Sequence, residues 1–554
     1  MKDIPDLGPL QNATKFSRPP GLVYERDSSW IIVWTSLFAL VLATSTYAIS
    51  KWRFRHVRKQ ASTLSAEPHP PGVVPYWFPL LGHVVPMVWN AEPFVNGVIE
   101  KYGLENPFTL MASYLPLTFV CNPDHIQDIF RSHKSLPDNT SMAFFLGSVL
   151  GAKNSAVAYY RADNSGTGFK AFEHSTVEEK DRVYFHTVNT FRKFLAGKHL
   201  RDISQRFLDN LERNLAKLGA EDDWVAFPDL YDFLQEECGK AAVEATMGSK
   251  ILELNPNLLR DVRARSRLHR SITKWHSYAR EHSDFTRIRS KDPEWEPYFG
   301  SKLVRARQEY LSYMEPLDAH AGACEDMGLL YTINENSVTS AFWLIFHILN
   351  DQDLLDRVDN EIKESLTSPK DSGSDIDLDI LLNKPLLQSC FAETLRLHVS
   401  SAALRINRFE DYHLSNFVIK KNQSVLIPTR PSAMNEERWS AWGNGLKKPL
   451  QEFDGERFLT EAPPKDGQKA GSKPNLTFSL DGTAGLWVPF GGGHHICPGR
   501  HFAKMEMLGT LAVLLGSYDL ELGVRTVKED LWYYPNGTLP PKTAVPFRLR
   551  SKRR

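Results

Sequence analysis

Apolar positions recur along most of the chain at helical spacing. Over residues 177–218 they follow the helical period, as at Val183, Val188, Phe191, Phe194 and Leu195, which predicts amphipathic helices. Helical signal also marks Glu92–Tyr102, and longer patterns run through 229–247 and 256–290. Residues 317–368 contain no proline, which permits long helices there. Two further helices are predicted, from about Leu386 to His398 and over roughly 499–515. Strand signal is confined to short pieces: Pro107–Val120, split by Ser113-Tyr114, the stretch 412–427, and the C-terminal end before Ser551-Lys552-Arg553-Arg554. Residues 369–379 read as a surface loop, and 431–488, rich in Gly, Pro and Trp, as irregular. No internal repeat is present. The pattern predicts a mainly α fold with a minor β component, in one large domain.

One segment breaks the soluble pattern. Trp30–Ser50 carries no charge and has the ~20 residues that span a bilayer as a helix. Trp30, Trp34, Tyr47 and Trp52 sit near its ends, where aromatic rings favour the membrane interface. Lys51, Arg53, Arg55, Arg58 and Lys59 follow at once, whereas residues 1–28 hold four basic and four acidic side chains. The basic flank predicts a cytosolic body. A cleaved signal peptide is the alternative, with its basic flank on the wrong side. The expected organisation is a short lumenal N-terminus (1–29), a transmembrane helix (30–50), a basic and Pro-rich connector (51–91), and a cytosolic catalytic domain (92–554). The connector, with Pro68, Pro70, Pro71, Pro75, Pro79 and Pro86, should be stiff and extended. The sequon at Asn12 lies on the expected lumenal side; those at Asn139, Asn475 and Asn536 lie on the other and should be inert.

Composition narrows the function classes. Of 554 residues, 42% are hydrophobic and 24% charged, which excludes a disordered or low-complexity chain. Lys plus Arg balances Asp plus Glu at 66 each, so no basic excess marks a nucleic-acid partner. The five cysteines, Cys121, Cys238, Cys324, Cys390 and Cys497, are scattered and form no CxxC pair, which argues against a disulfide framework.

The strongest chemical signal is Phe490-Gly491-Gly492-Gly493-His494-His495-Ile496-Cys497-Pro498-Gly499-Arg500. Three consecutive glycines let backbone approach a flat ligand where a Cβ would clash. Pro498 suits a first helical position, which would set Cys497 at a helix N-terminus, where free N–H groups favour a thiolate. Such a sulfur suits heme iron. A buried core cysteine beside a Gly-rich turn is one alternative; a zinc site from His494, His495 and Cys497 is another. The string resembles the heme-binding loop of the cytochrome P-450 superfamily, F-x-x-G-x-[RH]-x-C-x-G, with Phe490, Gly493, His495, Cys497 and Gly499 in place. The resemblance implies that Cys497 is the axial ligand of heme b and that His495, where arginine is commonest, faces a propionate. Arg405 is a second propionate candidate. No W-x-x-x-R is evident near 183–200.

Two more motifs stand in the family's order. Glu393-Thr394-Leu395-Arg396 matches E-x-x-R, whose two charges share one helix face. Arg457 in Phe453-Asp454-Gly455-Glu456-Arg457-Phe458 resembles the P-E-R-F piece and should complete a buried triad. An oxygen-side helix is expected over about Glu325–Asn350, with the polar cluster Asn334-Glu335-Asn336-Ser337 inside it. Where the family usually has an acid followed by threonine, this chain has Glu335 and Asn336. That change, with Phe342-Trp343, resembles the branch of cholesterol 7α-hydroxylases and prostacyclin synthases. Packing, or the capping of a kink, is the plainer role for these polar residues. The resemblance implies a cytochrome P-450 fold behind one transmembrane helix, single-pass in the endoplasmic reticulum membrane. It implies a monooxygenase acting on a hydrophobic, terpenoid- or steroid-like substrate with O2. Electrons would come from NADPH-cytochrome P-450 reductase, since no flavin or nicotinamide fingerprint is present. An NADPH-independent isomerase or dehydratase on the same fold is the alternative that Asn336 raises, and a heme-binding protein without turnover is a third.

Overall fold

The computed structural model describes residues 28–61, 67–132, 140–219, 223–366, 375–443, 445–461 and 476–552. Most of the expected lumenal segment, the sequons at Asn12, Asn139 and Asn475, connector residues 62–66 and loop residues 369–374 lie outside these; Asn536 lies within them.

The architecture is mainly helical with small sheets, preceded by one long apolar helix. That helix, Ser28–Ala61, is longer than the expected 30–50 and carries the basic cluster in its final turns. It is long and apolar enough to cross a membrane, and its most apolar window is entirely unburied. Residues 51–91 are not an extended connector. The helix runs to Ala61, Gly72–Val73 pairs in parallel with Phe108–Thr109, and Val84–Trp89 is helical again. The reason is contact: Phe54 is buried in a small core with Val74, Phe108 and Phe119, so burial overrides the stiffness of the prolines. Tyr47 stacks on Trp77 at 4.2 Å, and the Ser50 hydroxyl accepts from Tyr76 N at 3.2 Å.

The main sheet has six strands in the order Gly72–Val73, Phe108–Ala112, Leu115–Phe119, Ser424–Pro428, Val399–Ile406, Asn536–Thr538. Ser113 has φ +58°, which closes the tight turn between the second and third strands. The helical core forms where Gly197–Ala216, Leu230–Met247, Asn336–Leu349 and Arg500–Ser517 pack together. Asn336–Leu349 is buried nearly all round, as expected of a central helix. Pro385–His398 starts with proline at its first position and buries almost every side chain.

The oxygen-side helix differs from expectation in two ways. It begins at Ala319, and it is broken at Glu335 into Ala319–Asn334 and Asn336–Leu349. Backbone still crosses the break, with Thr339 N donating to Glu335 O at 3.4 Å, and hydroxyls reinforce it: Thr339 Oγ1 donates to Glu335 O at 2.6 Å and Ser340 Oγ to Asn336 O at 2.7 Å.

Candidate functional site

The E-x-x-R helix carries the firmest piece of the site. Arg396 Nε donates to Glu393 Oε2 at 2.7 Å and Nη2 to Oε1 at 2.9 Å. Arg457 Nε reaches both Glu393 oxygens, at 3.0 and 3.1 Å, and Asp454 N donates to Oε1 at 3.1 Å. All three side chains are buried. The arginines' remaining donors go to the carbonyls of Ala433, Leu450 and Pro449. One helix and the irregular 431–461 segment are thereby stapled around a single carboxylate, with the full hydrogen bonding that buried charge requires.

The cysteine loop packs on this staple through Trp487, whose indole N–H donates to Ala392 O at 2.9 Å. Phe490 is half-buried against Trp487 and Phe391. Cys497 N donates to Phe490 O at 3.0 Å and closes the loop. Four of the five cysteines are buried; Cys497 alone is partly open. Burial holds its thiol above the usual range, and the N–H groups of Gly499 and Arg500 and the Arg500 charge offset only part of that. The following helix starts at Arg500, with Gly499 as its cap, so Pro498 lies before the cap rather than at the first helical position. A sulfur at the turn into a helix, beside a cation, is placed where a metal could draw it into the thiolate form.

Two of the glycines also admit a neighbouring helix. A Cβ on Gly492 would meet the Phe130 ring at 2.1 Å, and one on Gly493, at φ +64°, would meet Phe130 O at 2.1 Å. Helix Pro123–Arg131 therefore lies against the loop, and the glycines admit it. Gly491 and Gly499 have no close neighbour that demands glycine.

Two cations hold the loop's carbonyls. Arg405 is buried and donates to Gly492 O at 3.1 Å. Arg192, on helix Val183–Phe194, donates to His494 O at 2.6 Å. It was missed in the sequence because Val188 stands where W-x-x-x-R would have tryptophan, though the spacing to Arg192 is kept. His495 is half-buried on the same loop.

Glu335 sits at the helix break and Asn336 just beyond it. Asn336 Oδ1 accepts from Thr538 N at 3.0 Å, while its NH2 group has no partner among the described residues. A Cβ on Gly537 would come within 2.0 Å of that oxygen, so this strand residue must be glycine. Next along, Ser337 neighbours Glu506 of helix Arg500–Ser517, a second residue sequence reasoning missed. Glu506 is fully buried, neither of its oxygens has a hydrogen-bond partner among the described residues, and burial raises its pKa to about 8. Its signal was one acid inside the apolar run from Met505 to Leu515.

Comparison with known proteins follows the same order of motifs. The Cytochrome P450 family pattern matches residues 334–544. Cytochrome P450 monooxygenase fsoE of Humicola fuscoatra is 29% identical over 93% of this chain and 94% of its own. Cytochrome P450 monooxygenase efuG of Hormonema carpetanum is 28% identical over 86% and 89%. Cytochrome P450 7A1 of Oryctolagus cuniculus is 23% identical over 86% and 92%. The chain thus carries a cytochrome P450 domain over residues 334–544 and is similar over most of its length to cytochrome P450 monooxygenases.

Proposed function

We propose that Cys497 is the axial thiolate of heme b, and that the chain inserts one oxygen atom from O2 into a hydrophobic, steroid- or terpenoid-like substrate. The observation that carries this reading is that Cys497, alone among the five cysteines, is partly open, on the turn that leads into helix Arg500–Ser517. Bound heme supplies the chemistry of dioxygen activation, and a thiolate ligand supplies the electron density that favours O–O cleavage. Arg405, Arg192 and His495 supply donors for the propionates; Phe490, Gly493 and Gly499 shape the loop. The Glu393–Arg396–Arg457 staple fixes the frame that carries it. Glu335 supplies protons, and the free NH2 of Asn336 donates a hydrogen bond that holds water or substrate. Because Asn336 Oδ1 is already engaged by Thr538 N, its role is that of a donor.

The substrate class rests on Asn336 and Phe342-Trp343, and on distant relatives such as Cholesterol 7-alpha-monooxygenase of Cricetulus griseus, 25% identical over 70% of this chain. NADPH-cytochrome P-450 reductase supplies the electrons. The helix Ser28–Ala61 anchors the protein once in the endoplasmic reticulum membrane, among lipid, with the catalytic domain cytosolic.

Cys497→Ser tests the ligand. The reduced carbon monoxide complex should lose its red-shifted Soret band, and turnover should vanish; retention of both would overturn the assignment. Microsomes given candidate sterols and terpenes with NADPH should form products heavier by one oxygen. Products of unchanged mass, formed without NADPH, would replace oxygenation by isomerisation.

A further inference from the structure

The zinc set weighed from His494, His495 and Cys497 does not converge. Among the described residues, the single group of three ligand-type side chains that does is His269, His320 and Cys324. His320 and Cys324 are four apart at the start of helix Ala319–Asn334 and so share a face. His269 comes from helix Arg265–His282, which packs against it. One ligand atom from each residue lies within 4.8 Å of the others. Cys324 Sγ is 3.7 Å from His320 Nδ1. In a tetrahedral site with bonds of about 2.1 Å to nitrogen and 2.3 Å to sulfur, such a pair stands about 3.6 Å apart. The two imidazole rings face each other with centroids 4.2 Å apart.

Core packing accounts for only part of this. Cys324 is fully buried and lies 3.5 Å from Leu150 O, to which its thiol donates. Nothing comparable satisfies His269 Nε2, which is buried and has no partner among the described residues. An orphaned ring nitrogen beside a second imidazole and a thiol is accounted for by a shared cation. The nearby charges leave the cluster open: Lys153 pairs with Asp318 at 2.6 Å, Arg265 donates to the carbonyls of Ser148 and Val149, and Glu325 is held by Arg307. Both histidines are half-buried, so an ion has a way in.

We propose that His269, His320 and Cys324 form a binding site for one zinc-class divalent cation, with water as fourth ligand, clipping helix Arg265–His282 to the start of the broken oxygen-side helix. Two imidazoles and a thiolate suit zinc over calcium or magnesium, which prefer oxygen. Binding breaks the Cys324 S–H bond, forms a metal–sulfur bond and releases one proton to solvent, with no change in oxidation state.

The test uses the full heme-loaded chain, freed of adventitious metal by a chelator and titrated with Cd(II) and Zn(II). One equivalent of Cd(II) per heme should produce a thiolate-to-metal charge-transfer band in the ultraviolet. His269→Gln and Cys324→Ser should each weaken binding at least tenfold and, for Cys324→Ser, abolish the band, with the heme spectrum unchanged. Zn(II) should raise the unfolding midpoint of the wild type and not of either variant. If Cys324→Ser fails to load heme, His269→Gln and His320→Gln carry the test from half-buried positions. Absence of the band in the wild type, or undiminished binding in the histidine variants, would overturn the site.

Discussion

Glu506→Gln should make the protein more stable, and increasingly so as pH rises. Glu506 is fully buried, its neighbour Ser337 lies 3.5 Å from Ile333 O as a donor, and neither carboxylate oxygen has a partner among the described residues. Burial lifts its pKa from 4.5 to about 8. A folded-state pKa above the unfolded one favours the folded state fully below about pH 4.5. That contribution is lost as pH rises through about 8. At about 1.4 kcal/mol per pH unit, the gap is worth up to about 5 kcal/mol, and water entering the site would reduce it. Glutamine keeps the shape and never ionises. Wild type and variant should therefore match near pH 5, and the variant should lead by several kcal/mol above pH 8. Urea unfolding of the heme-loaded protein, followed by circular dichroism across that range, reads the difference directly. Other titrating groups cancel in the comparison. A wild-type-to-variant gap independent of pH would refute the argument, since it would mean the carboxyl is already solvated or paired.

Three further outcomes follow from the geometry. Arg457→Leu removes one of two cations from buried Glu393 and should cost about 3–5 kcal/mol; Glu393→Gln added to it should recover part of that loss, and purely additive effects, read by unfolding midpoint and heme retention, would dismiss the staple. Asn336→Ala should keep iron reduction and NADPH consumption while diverting more electrons to hydrogen peroxide, measured as the ratio of product to NADPH; unchanged coupling and turnover would return Asn336 to a packing role with Thr538. Deleting residues 1–61 removes Phe54 from its core and should cost about 3–5 kcal/mol, whereas deleting 1–49 should leave stability nearly intact; both should release the body from alkaline-washed membranes, and equal stability of the two truncations would deny that Phe54 matters.

What could be read from the sequence was local. The proline-free stretch 317–368 and the Ser113-Tyr114 split appear as expected because period and turn chemistry act over a few residues. Glu393 and Arg396 were legible as a pair because one helix face fixes them, and Arg457 because its motif stands apart. The helix break at Glu335 was not legible, since it lies where Asn336 meets Thr538, some 200 residues away in the chain. Arg192 and its carbonyl are 302 residues apart in sequence, and no periodicity encodes that meeting. The glycine run was legible for its freedom, but the closeness of Phe130 to Gly492 and Gly493 was not, because that residue lies some 360 positions earlier in the chain. The convergence of His269 with His320 and Cys324 likewise depends on how two helices dock.

The helix Ser28–Ala61 enters the body without a hinge among its residues, held by Tyr47 on Trp77, Ser50 with Tyr76 and Phe54 among the first strands. As the membrane anchor proposed above, a segment joined in this way would behave as a lever rather than a tether. Its tilt in lipid and the attitude of the catalytic body are one mechanical variable, so a thicker or thinner bilayer would turn the whole body. Insertion of a single residue between Ser50 and Phe54 would rotate the lipid-facing side about 100° and displace it about 1.5 Å relative to the body. The same residue inserted before Trp30 would change nothing in that coupling. Because Trp77, Phe78, Leu80 and Trp89 lie exposed on the segments next to that junction, the rotation would decide whether they meet lipid or water.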